Sequence, residues 1–175
     1  MNLKTIAAFL TSIFFQCITQ AQDYRYTETL FFTSIVSQNI VYDNAPSINS
    51  PYNIESDTTS EDLKMDIYVP QGDTNTTRPA IIFAHSGGFL LGNKNHDDMM
   101  AFCDSLSKKG YVTATMNYRL GFNLFTNPNM HGTRAVYRGI QDGKAAVRYM
   151  RANASTYKVD EDKIYFVGSS AGSFI

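Results

Sequence analysis

Three short, mostly apolar runs alternate along this chain with two helical patterns, and this alternation restricts the fold more than any other feature. The runs are residues 80–84, 112–116 and 163–167. A strand with few polar positions is typical of a sheet covered on both faces. Strand, helix, strand, helix, strand indicates right-handed crossovers. The sequence therefore predicts an α/β fold whose mostly parallel sheet has helices on both faces.

The two helical patterns have different lengths. The first begins at Asn95, a good N-cap, and ends before Gly110. The apolar stripe of this first helix is Met99, Phe102, Cys103 and Leu106. The second is predicted over residues 133–154, after a loop from Arg119 to Gly132. Its stripe consists of Val136, Ile140, Gly143, Val147 and Met150.

The region before residue 78 has the period of strands rather than helices. Every odd position from Leu63 to Val69 is apolar, as in a strand with one buried face. Residues 31–36 and 39–42 are further predicted strands, and residues 43–62, rich in Asn and Ser, are predicted as a loop. We expect these strands to extend one edge of the sheet in antiparallel orientation.

Residues 1–21 have the pattern of a secretory signal peptide. Lys4 precedes an apolar segment from Ile6 to Phe15, and Thr19 and Ala21 supply small residues for cleavage before Gln22. The apolar run is too short to span a bilayer comfortably, although an uncleaved anchor or a buried first helix is an alternative. We expect a protein secreted to the extracellular space or periplasm without a stable membrane anchor, with residues 22–175 as the N-terminal portion of one domain.

Charge and cysteine content exclude several other classes. The chain has 15 basic and 16 acidic residues without a basic stripe, so no nucleic-acid partner is predicted. Cleavage would remove Cys17 and leave Cys103, predicted to be a core residue, so no internal disulfide is expected. No metal-ligand spacing or phosphate-binding loop occurs in the sequence. Neither a metal nor another cofactor is therefore predicted.

The third apolar run leads directly into Gly168-Ser169-Ser170-Ala171-Gly172, which fits G-x-S-x-G. This pattern is typical of a sharp strand-to-helix turn that exposes a strained nucleophilic serine, with glycines that avoid side-chain clashes. As a bare pattern it is weak, but after a buried strand it is specific. We predict Ser170 as a nucleophile.

The first apolar run leads into His85-Ser86-Gly87-Gly88-Phe89. Small residues there allow backbone N–H groups to point at a substrate carbonyl, as an oxyanion hole requires. An ordinary glycine turn is the alternative. We expect His85 to support the loop through hydrogen bonds rather than to act as a base.

Several segments together resemble the carboxylesterase and hormone-sensitive-lipase-like branch of the α/β hydrolases. They are residues 64–70, 85–89, 116–119, 142–154 and 160–172, and they occur in the family's order. The resemblance implies the α/β-hydrolase fold, ester hydrolysis through Ser170, and an oxyanion hole formed by the N–H groups of Gly87, Gly88 and Ala171. Two departures are Ser86 and Ser173, where the family commonly has glycine.

The resemblance also implies a triad order of Ser, acid and then His along the chain. All three histidines, His85, His96 and His131, precede Ser170, and Asp142 is predicted to make a structural hydrogen bond. His131 is a minor alternative as a base. We therefore expect this chain to be truncated after the nucleophile turn, to lack the triad acid and histidine, and to be inactive alone.

The leading hypothesis is a secreted serine carboxylesterase that acts on a small-molecule or carbohydrate-linked ester. Phe89, Phe122, Leu124 and Phe125 are candidates to line an acyl pocket, with ordinary loop packing as the alternative. A prolyl-oligopeptidase-like serine peptidase and a non-catalytic hydrolase-like binding module are the alternative functions. The first needs a large upstream domain, and the second usually lacks the serine.

Overall fold

The computed structural model describes residues 24–52, 54–123, 125 and 127–175. The predicted signal peptide lies outside these residues. The strands are β1 (Ser34–Ile48), β2 (Thr58–Pro70), β3 (Arg78–Ala84), β4 (Val112–Met116) and β5 (Val159–Gly168). The helices are α1 (Asp97–Ser107), α2 (Pro128–Ala152) and the short α3 (Ala154–Tyr157), followed by a 3₁₀-helix at Ser170–Phe174.

The strands form one mixed sheet in the order β1-β2-β4-β3-β5. β3 pairs in parallel with both β4 and β5, and Ala84 lies beside Met116 on one side and Gly168 on the other. β1 and β2 are antiparallel and extend the β4 edge. This confirms the predicted α/β sheet and brings the carboxyl ends of three parallel strands to one edge.

Each face of the sheet is covered by one long helix. On one face, Ala135 and Ala146 of α2 pack with Met65, Ile82 and other residues of the main core. On the other face, Met99 and Cys103 of α1 pack against Phe83 and neighbouring residues of the sheet. Burying a large aliphatic side chain contributes roughly 2 kcal/mol, so both layers hold the sheet. This second layer also explains why Asp66 and Tyr68 are buried, although the alternation in β2 predicted one buried face.

The loop predicted for residues 43–62 is wrong. β1 continues to Ile48 and β2 begins at Thr58, so the two strands form one long hairpin. Much of the far end of the hairpin, such as Thr59 and Ser60, is solvent-exposed and pairs through the backbone. An apolar alternation cannot reveal such a segment. The predicted strands at 31–36 and 39–42 are parts of one strand, interrupted by an irregularity between Ser37 and Ile40.

The helix boundaries and stripes differ in detail from those predicted. His96, not Asn95, is the N-cap of α1, and Phe102 is 52% exposed rather than buried. α2 begins at Pro128 instead of residue 133, because a proline in the first turn is preorganised for a helix. Its buried face includes Gly143 and Met150 of the predicted stripe, together with Ala135, Gly139 and Ala146, which lie one position before the other three members. Small residues occupy this face because the helix lies close to the sheet.

An N-terminal arm, residues 24–33, lies across the carboxyl end of α1. The backbone N–H groups of Tyr26 and Leu30 donate to the carbonyls of Lys109 and Lys108, at 3.0 and 2.9 Å. Arg25 of the arm and Arg78 of β3 both bind the buried carboxylate of Asp73. This cluster lies at the amino end of β3, the end opposite to the serine turn. Among the described residues, no helix is both long and apolar enough for a transmembrane span.

Candidate active site

Ser170 stands at the turn where β5 ends and the 3₁₀-helix begins. Its φ is 50°, a left-handed conformation that is uncommon for residues other than glycine. Its side chain is solvent-exposed, whereas the next residue, Ala171, is buried in the core. The strained turn predicted from the sequence is therefore present, with an exposed hydroxyl at the carboxyl edge of the sheet.

The glycines on either side of Ser170 are required for space. A Cβ on Gly168 would lie 2.0 Å from the carbonyl oxygen of Gly172, and one on Gly172 would lie 2.4 Å from that of Ala84. The N–H of Ser169 donates to the same Ala84 carbonyl at 3.1 Å. The serine turn thus packs directly on the end of β3. Ser173, one of the departures from the family pattern, donates its hydroxyl to the carbonyl of Ser170.

The glycine loop follows β3 and begins at the same place. Gly87 and Gly88 have φ values of 130° and 64°, which glycine adopts without strain. A Cβ on Gly87 would lie 1.9 Å from the carbonyl oxygen of Leu91. Within the described part of the chain, the N–H groups of Gly87 and Gly88 donate no hydrogen bond. Two unengaged donors therefore lie in the loop that adjoins the serine turn.

His85 is buried beneath this loop. Its ring stacks on Tyr118 with centroids 4.3 Å apart, and the Tyr118 hydroxyl donates to the His85 carbonyl at 2.8 Å. Its Nδ1 lies 2.6 Å from the carbonyl oxygen of Ser86. Burial lowers the pKa of His85, which favours the neutral form of the ring. These contacts are consistent with a role for His85 in supporting the glycine loop.

The other candidate acid–base residues are bound to partners of their own. Asp142 accepts hydrogen bonds from the backbone N–H of Arg119 at 2.7 Å and from its guanidinium at 2.6 Å. Burial raises the pKa of Asp142, and the Arg119 guanidinium opposes this effect. The pair joins α2 to the loop after β4, which agrees with the structural hydrogen bond predicted for Asp142.

The two remaining histidines lie at helix starts. The His96 ring contacts the Asp98 carboxylate on the surface of α1. His131 was predicted in a loop but lies in the first turns of α2, buried, with its Nδ1 2.9 Å from Glu55. In the described segments, no cluster of three or more His, Cys, Asp or Glu is arranged to hold a metal ion.

The residues suggested for an acyl pocket do not form one group. Phe89 is buried in the core and Phe122 packs partly against it, whereas Phe125 is 96% exposed. Leu124 lies outside the described residues. For Phe89 and Phe122 the structure favours loop packing, the alternative interpretation.

The sequence did not reveal two supports of the loop. Phe89 has a φ of 58°, and its carbonyl accepts hydrogen bonds from the N–H groups of Gly121 and Phe122 at 2.8 and 3.1 Å. At the other end, the buried Lys94 forms an ion pair with Asp66 at 2.7 Å. A lysine after a glycine-rich loop is the only signal in the sequence, because its partner lies on a distant strand.

Comparison with known proteins agrees with the fold. Esterase B from Lactobacillus rhamnosis has a similar structure, with a TM-score of 0.57 over 98% of this chain and 48% of that chain, at 20% sequence identity. The fold is that of the α/β hydrolases. The BD-FAE family model matches residues 65–175. The chain therefore belongs to the BD-FAE family, within the α/β hydrolases.

Curated relatives are similar over a shorter part of their length. The juvenile hormone esterase of Heliothis virescens is 33% identical over 101 residues, which are 57% of this chain and 17% of the esterase. The neuroligin-like protein glit-1 of Caenorhabditis elegans is 28% identical over 144 residues, 81% of this chain and 19% of that protein. The chain thus spans about a fifth of the length of these relatives.

Proposed function

We propose that the protein containing this chain is a serine carboxylesterase with Ser170 as its nucleophile. The observation that carries the proposal is the position of the strained, exposed Ser170 beside a loop in which the Gly87 and Gly88 N–H groups donate no hydrogen bond to any described residue. A hydroxyl and N–H donors at one edge of a sheet can attack a carbonyl carbon and bind the oxygen that becomes negative. Membership of the BD-FAE family and similarity to proteins named esterases support the same chemistry.

The proposed reaction has two steps. Ser170 Oγ attacks the ester carbonyl while a histidine takes its proton, and the N–H groups of Gly87, Gly88 and Ala171 bind the oxyanion. The alcohol leaves with that proton, and water then hydrolyses the acyl-enzyme. Because His85, His96 and His131 have other partners, we propose that the triad acid and histidine follow Ile175 in a longer polypeptide. The known order of the triad in this fold supports that placement.

Paired serine substitutions test the nucleophile. In the full-length protein, Ser170→Ala should reduce hydrolysis of a simple aryl ester by at least ~10³-fold and abolish labelling by a fluorophosphonate. Ser169→Ala is the matched control, and it should leave most of both activities. Fluorophosphonate labelling of the Ser170→Ala protein at the unmodified rate would sink the assignment. If the 175-residue chain alone were as active as the full-length protein, a base within this chain, such as His131, would replace the missing histidine.

The same labelling experiment separates the alternatives. A non-catalytic binding module would not react with the fluorophosphonate. A prolyl-oligopeptidase-like peptidase would react but would cleave a peptide amide in preference to an ester. No feature of the described residues favours that peptidase. We propose a small-molecule or carbohydrate-linked ester as the substrate class.

We also propose that the protein is exported after removal of residues 1–21. The support is the basic start, the apolar run and the small residues before Gln22. N-terminal sequencing of protein recovered outside the cytoplasm should begin at Gln22. Recovery of exported protein that still begins at Met1 would contradict the proposal.

A further inference from the structure

Two glycines one turn apart on the buried face of α2 receive side chains from the candidate active site. A Cβ on Gly139 would lie 3.0 Å from Cγ1 of Ile175 and 3.1 Å from Cε1 of Phe89. A Cβ on Gly143 would lie 2.6 Å from Cγ2 of Ile175 and 3.3 Å from Cζ of Phe166. We call Gly139 and Gly143 the glycine saddle.

Space rather than backbone conformation explains these glycines. Neither has a positive φ, and both lie inside a helix of 25 residues. Glycine is among the poorest residues for a helix interior and alanine is the best. The two glycines therefore lower the helix propensity of α2, but they allow the Phe89 and Ile175 side chains to pack closely against the helix.

Those side chains belong to the two loops that the proposed chemistry brings together. Phe89 directly follows Gly88, and Ile175 directly follows the 3₁₀-helix that starts at Ser170. The Phe89 ring also packs edge-on against Tyr118, with centroids 5.5 Å apart. Gly139 thus lies next to a side chain from the glycine loop, Phe89, and next to a side chain that follows the serine turn, Ile175.

We infer that Gly139 is a positioning residue that sets the distance between the Ser170 hydroxyl and the Gly87 and Gly88 amides. The inference rests on the proposed function, because it concerns the geometry of that reaction. Electrostatic stabilisation of an oxyanion needs donors within about 3 Å of the developing charge. A methyl group at Gly139 would press on Phe89 and Ile175 together and displace the donors from the nucleophile by a few tenths of an ångström.

The test compares Gly139→Ala with Gly132→Ala in the full-length protein. Gly132 also lies in α2, but a Cβ there would meet Phe122 at an ordinary distance of 3.5 Å. Both substitutions raise helix propensity equally. We expect Gly132→Ala to keep the unmodified kcat and KM, and Gly139→Ala to lower kcat at least ~10-fold with little change in KM. Neither variant should melt more than a few degrees below the unmodified protein.

Rates are measured per active site, titrated with a fluorophosphonate, so that a loss of folded protein does not count as a loss of kcat. Adding Ile175→Ala to Gly139→Ala removes one of the two compressed contacts and should recover part of kcat. An unchanged kcat per site in Gly139→Ala would overturn the inference while leaving the proposed function intact. If the unmodified protein neither turned over an ester nor labelled at Ser170, both would fail.

Discussion

At individual positions of this chain, the backbone conformation and the surrounding packing limit which residue types are possible. Ser170 occupies a φ of 50° that costs about 1 kcal/mol for a residue with a side chain. Such strain persists only where the surrounding structure enforces it. Here the backbone packs so closely around Gly168 and Gly172 that neither position has room for a side chain. The G-x-S-x-G motif therefore reflects the limited space at the end of β5. Because this limit fixes the residue types at neighbouring positions, the motif could be recognised from the sequence.

Cys103 illustrates burial at the same scale. Its side chain is fully buried between α1 and the sheet, and burial raises the pKa of its thiol to about 12. We expect the native protein at pH 8 to leave Cys103 unmodified by iodoacetamide, since the thiolate is the reactive form. Mass spectrometry of the Cys103 peptide checks this, with protein unfolded in urea as the control. Rapid alkylation under native conditions would contradict the burial of this thiol.

At the scale of elements, the sequence predicted what depends on local pattern. The apolar runs that became β3, β4 and β5 were sufficient to place Ser170 and the glycine loop at one edge of the sheet. The far end of the β1–β2 hairpin was missed because its residues are polar and pair through backbone groups. Ala135 and Gly139 of α2 also face the sheet and were missed because such small residues carry little apolar signal, whereas Gly143 was predicted in the stripe and is buried.

The site was predictable only in part for the same reason. The sequence was sufficient to identify Gly87, Gly88 and His85, because they lie in a glycine-rich segment directly after a buried strand. By contrast, Lys94 forms an ion pair with Asp66 of β2, and Phe89 packs against Gly139 of α2. Both partners are far from the loop in sequence. Contacts between distant segments depend on tertiary packing, which no local periodicity encodes.

For the whole molecule, the cluster of Arg25, Asp73 and Arg78 ties the N-terminal arm to the sheet. Burial raises the pKa of Asp73, but hydrogen bonds from Arg25, the Asn75 N–H and Arg78 outweigh it and hold the pKa below its usual 3.8. A carboxylate with a lowered native pKa stabilises the fold above the unfolded pKa, and this contribution is lost as the pH falls through the native value. The relevant window therefore lies below about pH 4.

We expect Asp73→Asn to lower the free energy of unfolding of the full-length protein by about 3 kcal/mol at pH 7, because it leaves the buried guanidinium of Arg78 and the partly buried one of Arg25 without their anion. The difference from the unmodified protein should shrink as the pH falls below about 4. Urea denaturation at pH 7 and pH 3 measures both effects. Asp160→Asn, at a partly exposed carboxylate paired with the exposed Lys163, is the control and should change stability little. An equal loss for Asp73→Asn at both pH values would contradict this account.

The pairing of Ala84 with Gly168 gives the molecule an order of assembly. β3 is synthesised long before β5, and the polypeptide between them must fold into β4 and three helices on the way. Pairings between distant segments form slowly, because loop closure costs entropy before any contact compensates it. While the ribosome is still making that stretch, β3 has one open flank and the glycine loop has no serine beside it. A nascent chain that ends before β5 therefore has neither Ser170 nor the strand that pairs with the open flank of β3.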